Sequence, residues 1–195
     1  MPYMIISFSG APGSGKSTIA QRLADKLGYA RYYMGGLRRE AARRRGLTLA
    51  EYNQLGETDP ATDREVDEYQ AELGRQEKDF VIEGRTSWYF IPHSVKIYLD
   101  VSPEEGARRV FLSLQGKAKE ERNEDDQLDS QEAVRESMES RVASDRVRYR
   151  KYYGIDDVYD HSHYDLYLDT TGLDQDQVFA RVWDFVSARL DKGKN

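Results

Sequence analysis

The chain of 195 residues contains no cysteine. That excludes a disulfide framework and a thiolate metal site, and it matches a reducing cytosolic setting. No apolar run approaches the length needed to cross a bilayer, and the first residues lack the basic segment followed by an apolar stretch that marks export. The expectation is a cytoplasmic chain with no membrane association. Positive charge is in deficit: 35 acidic residues face 29 basic ones, for a formal charge of -6, which argues against broad binding to nucleic acid or anionic lipid. Histidine is scarce, with three in all. His161 and His163 stand two apart, a spacing for a turn or strand, and with no third ligand apparent all three, His93 included, read as surface residues. The length suits one well-filled α/β domain, so residues 1–195 are expected to form a single unit. Nothing in the pattern specifies an oligomeric state.

Against these absences stands one dense stretch, residues 4–19, MIISFSGAPGSGKSTI. An apolar segment of strand composition runs into a glycine-rich loop and then into a helical pattern, which is the context the motif G-x-x-x-x-G-K-[ST] requires. Residues Gly10, Ala11, Pro12, Gly13, Ser14, Gly15, Lys16, Ser17 and Thr18 are therefore expected to cradle a nucleoside triphosphate. Glycines let several backbone N–H groups point at one anion, and the helix that follows adds its positive end. Lys16 would reach the β- and γ-phosphates and Ser17 would ligate Mg²⁺.

The rest of the chain alternates strand and helix. A helix over 18–27, capped by Gly28, precedes a strand at 29–33 and a turn at Met34-Gly35-Gly36. The next helix, 37–45, carries Arg39 and Arg43 on a face away from Leu37 and Ala41. A capping box of Thr48 and Glu51 opens a short helix over 48–55, and a longer one runs from Asp59 to about 78 with Val66, Tyr69 and Leu73 on one side. Residues 35–74 thus form an all-helical insertion between the second and third strands. The third strand, 79–82, ends at Glu83-Gly84-Arg85, the carboxyl edge where parallel sheets bind ligands.

A fourth strand at 95–99 leads to a helix capped by Ser102 and carrying Arg108 and Arg109. Residues 115–131 are so polar that a mobile connection is expected. The helix over 132–153 places Arg141, Ser144, Asp145 and Arg148 on one face, read as open to anions, and Met138, Val142 and Tyr149 on another, read as packing. A strand at 164–168 and a helix at 174–190, with Val178, Val182, Phe185 and Leu190 inward, complete the pattern. It predicts a doubly wound five-stranded parallel sheet with helices on both faces.

Arginine outnumbers lysine 20 to 9, concentrated over 38–45 and 135–150. Arginine grips phosphate oxygens bidentately, so local clusters in an acidic protein point to a small phosphorylated ligand, although some of these side chains read as solvated faces paired with carboxylates. No water-positioning residue or base-reading motif of a GTPase switch is found. Phosphoryl transfer to an acceptor that is already an ionised phosphate needs cation clamps and exclusion of water, and no strong general base.

These motifs together resemble a cytidylate kinase of the nucleoside monophosphate kinase group, archaeal short form. The resemblance rests on GAPGSGKS, on Arg39-Glu40-Ala-Ala with Arg45-Gly46-Leu-Thr-Leu, and on Asp59-Pro60-x-x-Asp63-x-x-x-Asp67 followed by Glu83-Gly84-Arg85. It rests also on Arg141-x-x-Ser144-Asp145-x-x-Arg148-Tyr149, Tyr153-Gly154-Ile155-Asp156 and Leu168-Asp169-Thr170-Thr171. It implies that ATP is the donor and CMP or dCMP the acceptor, with Mg²⁺ held by Ser17 directly and by Glu83 through water. Arg39 would hold the acceptor phosphate, Arg85 would bridge that phosphate or its base, and Asp63 would read the cytosine or position its neighbours. Arg141, Asp145 and Arg148 would belong to a lid over about 115–153, the two arginines neutralising phosphates together with Lys16, and Asp145 orienting one of them or contacting the acceptor nucleoside. Arg109 would stack on the donor adenine. The chain departs from the bacterial D-G-R-D pattern at Glu83 and Thr86, and Ser113 stands where many relatives keep a second arginine.

Alternatives from the same residues are a kinase for AMP, UMP or a small alcohol such as shikimate, and a P-loop regulatory protein. A nucleic-acid-binding ATPase using Arg43-Arg44-Arg45 as a basic patch is disfavoured by the acidic balance.

Overall fold

A computed structural model describes residues 4–115 and 128–192. Five strands, β1 (Ile5–Gly10), β2 (Ala30–Tyr33), β3 (Phe80–Glu83), β4 (Val95–Asp100) and β5 (Leu166–Asp169), form one parallel sheet in the order β2-β3-β1-β4-β5. The expected five-stranded parallel sheet is therefore present.

Alternation along β1 sends its side chains to two cores. Ile6 and Phe8 join Val81, Ile97 and Leu99 under α1 (Lys16–Leu27) and a C-terminal helix (Gln175–Lys192) whose Val182 and Val186 are fully buried. Ile5, Phe80 and Ile82 face the other way, against Met34 of α2 (Met34–Arg44), Val66 and Leu73 of α4 (Ala61–Gln76), and Ile91. Two covered faces make the sheet doubly wound, because a parallel sheet must bury both. Between α2 and α4 lies α3 (Leu49–Gly56), so three helices separate β2 from β3. The capping box that opens α3 is formed: the Glu51 amide donates to Thr48 Oγ1 and the Thr48 amide to Glu51.

A short α5 (Ser87–Phe90), which the sequence pattern does not announce, follows β3, and α6 (Pro103–Leu114) follows β4 with Ser102 as its cap. The long helix α7 (Gln131–Tyr153) ends at Gly154 in the left-handed region, φ 67°. The C-terminal helix is α8. Of the expected connection over 115–131, residues 116–127 lie outside the described residues.

Three expectations need correction. Met34-Gly35-Gly36 is the first turn of α2 instead of a turn before it. Met34 anchors that turn in the core, and the two glycines make room for the Tyr33 ring, since a Cβ at either would meet ring atoms at 2.7 and 2.9 Å. Tyr69 does not join Val66 and Leu73 in the core; it is 42% exposed, with its ring edge toward Tyr32. On α7 the division into a packing face and an open face fails. Met138 and Val134 pack on Ala107 and Val110 of α6, while Ser144, Asp145 and Arg148 are buried too, with Ser144 Oγ donating to the Asn53 carbonyl of α3. The helix packs on both α6 and α3, and its solvent side is instead the stripe of Glu132, Glu136, Glu139, Ala143, Arg146 and Arg150.

Candidate active site

The carboxyl edge of β1 turns through Ala11 and Pro12 into a loop that closes on α1. At Gly13, φ is 80°, and a Cβ would lie 2.4 Å from the Gly106 carbonyl oxygen, so only glycine lets the loop run this close to α6. Gly15, also left-handed, is the N-cap of α1. Lys16 bends back over the loop and donates to the Ala11 carbonyl at 3.2 Å. Thr170 Oγ1 braces the far side by donating to the Ser14 carbonyl.

Lys16 is the electrostatic centre of the edge. Burial pushes its amine down, Glu83 opposes that, and Arg85, Arg141 and Arg39 add to it, leaving the pKa at about 7. Three arginines from α2, the end of β3 and α7 thus act on one lysine at the phosphate loop. Arg39 donates to the Tyr33 hydroxyl at 2.5 Å and to the Gly35 carbonyl at 3.1 Å. Its position follows from α2 starting at Met34, which orients the helix over the sheet edge.

Glu83 is 2% exposed and uses both oxygens: Oε1 accepts from Ser17 Oγ at 2.5 Å, and Oε2 pairs with Arg31 Nη2 at 2.7 Å. The Ser17 hydroxyl and Glu83 carboxylate make an all-oxygen donor set. Among the described residues no group of three or more His, Cys, Asp or Glu is placed to hold a metal ion. A hard cation that keeps water and phosphate as most of its ligands, as Mg²⁺ does, fits that donor set; a zinc ion does not. His163 stacks on Trp88 at 4.0 Å, and the His161 ring lies tilted against Tyr167 at 3.7 Å.

Beyond Arg85 lies a buried chain of alternating charge. Arg85 Nε pairs with Asp145 Oδ2 at 2.6 Å, and the Tyr159 hydroxyl bridges the two, accepting from Arg85 and donating to Asp145, each at 2.9 Å. Asp145 also pairs with Arg148, which pairs with Asp63, which takes Arg38 Nη1 at 2.6 Å. Burial pushes the Asp145 carboxyl up, but Arg85, Arg148 and Arg141 outweigh it and hold it below the ordinary range. Arg148, expected on an open face, is fully buried between two carboxylates, and Asp63 is committed to arginines.

Arg109 is spoken for as well. It pairs with Glu105 at 2.7 Å and donates to the Thr170 carbonyl at 2.7 Å, tying α6 to the turn after β5. Thr86 Oγ1 donates to Asp67 and accepts from Gln70, and Ser113 Oγ donates within its own helix to the Val110 carbonyl. Sequence reasoning passed over Arg31, Arg38 and Tyr159. An arginine inside the short second strand was the available signal for Arg31. Tyr159 lies in irregular chain, where no periodicity marks it.

The geometry agrees with what the chain is similar to. The model of the cytidylate kinase-like family matches residues 5–172. A protein of Halobacterium salinarum named cytidylate kinase is 37% identical over 187 residues, covering 95% of this chain and 90% of that protein. One of Methanocorpusculum labreanum, also named cytidylate kinase, is 34% identical over 190 residues, 97% and 99% of the two chains. Among solved structures, the shikimate kinase from Acinetobacter baumannii in complex with shikimate superposes with a TM-score of 0.59 at 15% identity, covering 96% of this chain and 94% of that one. At that identity the likeness speaks for the fold.

Proposed function

The chain belongs to the cytidylate kinase-like family, and from that premise we propose that it transfers the γ-phosphoryl group of ATP to the 5′-phosphate of CMP or dCMP, giving ADP and CDP or dCDP. The reading is carried by Arg39, Arg85 and Arg141, whose charges all act to lower the Lys16 pKa. A site that binds only a triphosphate needs the loop and its lysine; cations arriving from the helical insertion and from α7 suit a second phosphorylated substrate facing the first.

An oxygen of the acceptor phosphate, already ionised, attacks the γ-phosphorus in line, and the bond to the β–γ bridging oxygen breaks. No side chain has to remove a proton. Lys16, Arg39, Arg85 and Arg141 neutralise the charge that spreads over the moving group, and backbone amides of residues 10–18 hold the donor. Ser17 and Glu83 are the residues that would hold Mg²⁺, whose charge offsets that of the β- and γ-phosphates. Arg109 sits beside the turn after β5, where the donor base would lie.

Asp145 orients Arg85, and Arg148 acts through Asp145 and Asp63. Both are positioning residues in this reading, since Arg148 has no surface to offer a phosphate. The insertion α2–α4 would carry the acceptor.

A coupled assay for ADP across CMP, dCMP, UMP, AMP and shikimate tests the assignment. Transfer to CMP and dCMP is expected; transfer only to shikimate, or hydrolysis with no acceptor used, would overturn it. Relatives at 34% and 37% identity carry the cytidylate name, whereas the shikimate likeness is one of fold.

A further inference from the structure

We propose that a cleft beside the phosphate loop, walled by the loop, the β4–α6 junction and α7, is a second ligand site that takes an uncharged or cationic heteroaromatic molecule of nucleoside size. Its volume is about 690 Å³, inside the range of small-molecule sites. Pro12 of the loop, Val101 and Pro103 between β4 and α6, and Met138 and Val142 of α7 supply apolar walls. None of Lys16, Arg39, Arg85, Arg109 and Arg141 lines it, so it lies beside the phosphate-transfer site and borders it at Ala11, Pro12, α7 and the turn after β5.

Tyr98 gives the cleft a polar anchor. The residue is 3% exposed and lines the cleft, yet among the described residues no hydrogen bond reaches its hydroxyl. It stands on the sheet face opposite Ile97 and Leu99, with its ring stacked on Tyr167 at 5.6 Å. Burial, reinforced by Asp100, holds the phenol protonated far above its usual range, so it offers a donor to an acceptor atom of a ligand. That hydroxyl opens onto the cleft, and a ring nitrogen or carbonyl oxygen of a ligand would give it a partner.

Charge selects the class. Asp100, Glu139, Asp157 and Asp169 line the cleft against Arg135 and Arg146. Both arginines are already paired, Arg135 with Glu132 and Glu139, and Arg146 with Asp157 at 3.0 Å. A phosphate would meet a lining of four carboxylates against two arginines, whereas a neutral or cationic ring finds the aromatic residues Tyr98, Tyr159 and His161 in the same lining. The cleft is thus the electrostatic opposite of the site next to it.

The test uses the whole protein saturated with a bisubstrate inhibitor, adenosine and cytidine joined through five phosphates, so that donor and acceptor positions are filled. Cytidine and adenosine are then titrated by saturation-transfer NMR and calorimetry, with CMP alongside. Expected is saturable nucleoside binding that persists with the inhibitor bound. It weakens about tenfold in Tyr98→Phe, as loss of one hydrogen bond would give, and disappears in Ala143→Trp, which fills the cleft from an exposed position. Both variants keep the thermal midpoint and kinase rate. No saturable binding by either nucleoside, full displacement by the inhibitor, unchanged affinity in Tyr98→Phe, or CMP binding as tightly as cytidine would each overturn the proposal. Inhibitor binding is measured first: its failure counts against the two-substrate reading, and the two variants then decide the cleft on the free protein.

Discussion

Arg148 and Asp63 stand 85 residues apart in the chain and form an ion pair whose guanidinium has no exposed surface. One carboxylate oxygen, Asp63 Oδ1, serves both Arg148 of α7 and Arg38 of α2. The pair therefore fastens α7 to the insertion between β2 and β3. Asp63→Asn leaves two buried cations short of charge. It is expected to cost about 3–5 kcal/mol of unfolding free energy, read from urea denaturation; a loss below about 1 kcal/mol would mean that the pair behaves like an exposed one.

Lys16→Ala should lower kcat by about two to three orders of magnitude or more with the cooperative unfolding transition retained. The lysine contributes a charge at the loop and packs into neither sheet core. Near-normal turnover would remove it from the mechanism.

The depressed amine of Lys16 carries a signed pH effect. In the free protein it titrates at about 7, and donor phosphates raise that value. Below pH 7 the lysine is already protonated and binding takes up no proton there. Between 7 and the ordinary value of 10.5, binding takes up a proton, so donor affinity falls as pH rises. For the same reason the unfolded chain holds more protons than the free folded protein in this window, and Lys16 adds to stability as pH rises through it. Calorimetry at pH 8 with a non-hydrolysable ATP analogue, in buffers of different ionisation heat, should show net uptake that Lys16→Ala abolishes.

Arg39→Ala should raise the KM for CMP by roughly ten- to a hundredfold, the worth of a charge-assisted hydrogen bond to phosphate, and leave the KM for ATP nearly unchanged. A loss confined to the ATP KM would place Arg39 on the donor side.

Glu83→Gln keeps the shape of the Ser17–Glu83–Arg31 link but removes its charge. The Mg²⁺ concentration for half-maximal rate is expected to rise roughly 10- to 100-fold, with a parallel weakening of Mn²⁺ binding followed by electron paramagnetic resonance in the presence of ADP. An unchanged metal requirement would take Glu83 out of the cation site.

Local chemistry was written plainly in the residues. The phosphate loop was legible because strand, loop and helix follow one another within a few residues. The Thr48 and Ser102 caps and the Gly28 and Gly154 helix ends are similarly short-range. The alternation of strands and helices determined the parallel sheet, since only crossover connections fit that spacing.

What the side chains of α7 face was decided by the tertiary structure. An arginine on a helix has the same local signature whether water or a carboxylate lies opposite, so periodicity read Arg141, Asp145 and Arg148 as one open surface. The partners come from afar: Arg31 meets Glu83 across 52 positions and Arg85 meets Tyr159 across 74. The sequence by itself determined the strand, glycine-rich loop and helix of the phosphate-loop motif over residues 4–27. Folding decided which arginines meet Lys16 and which are buried in ion pairs, because burial and charge pairing depend on contacts that no local pattern encodes.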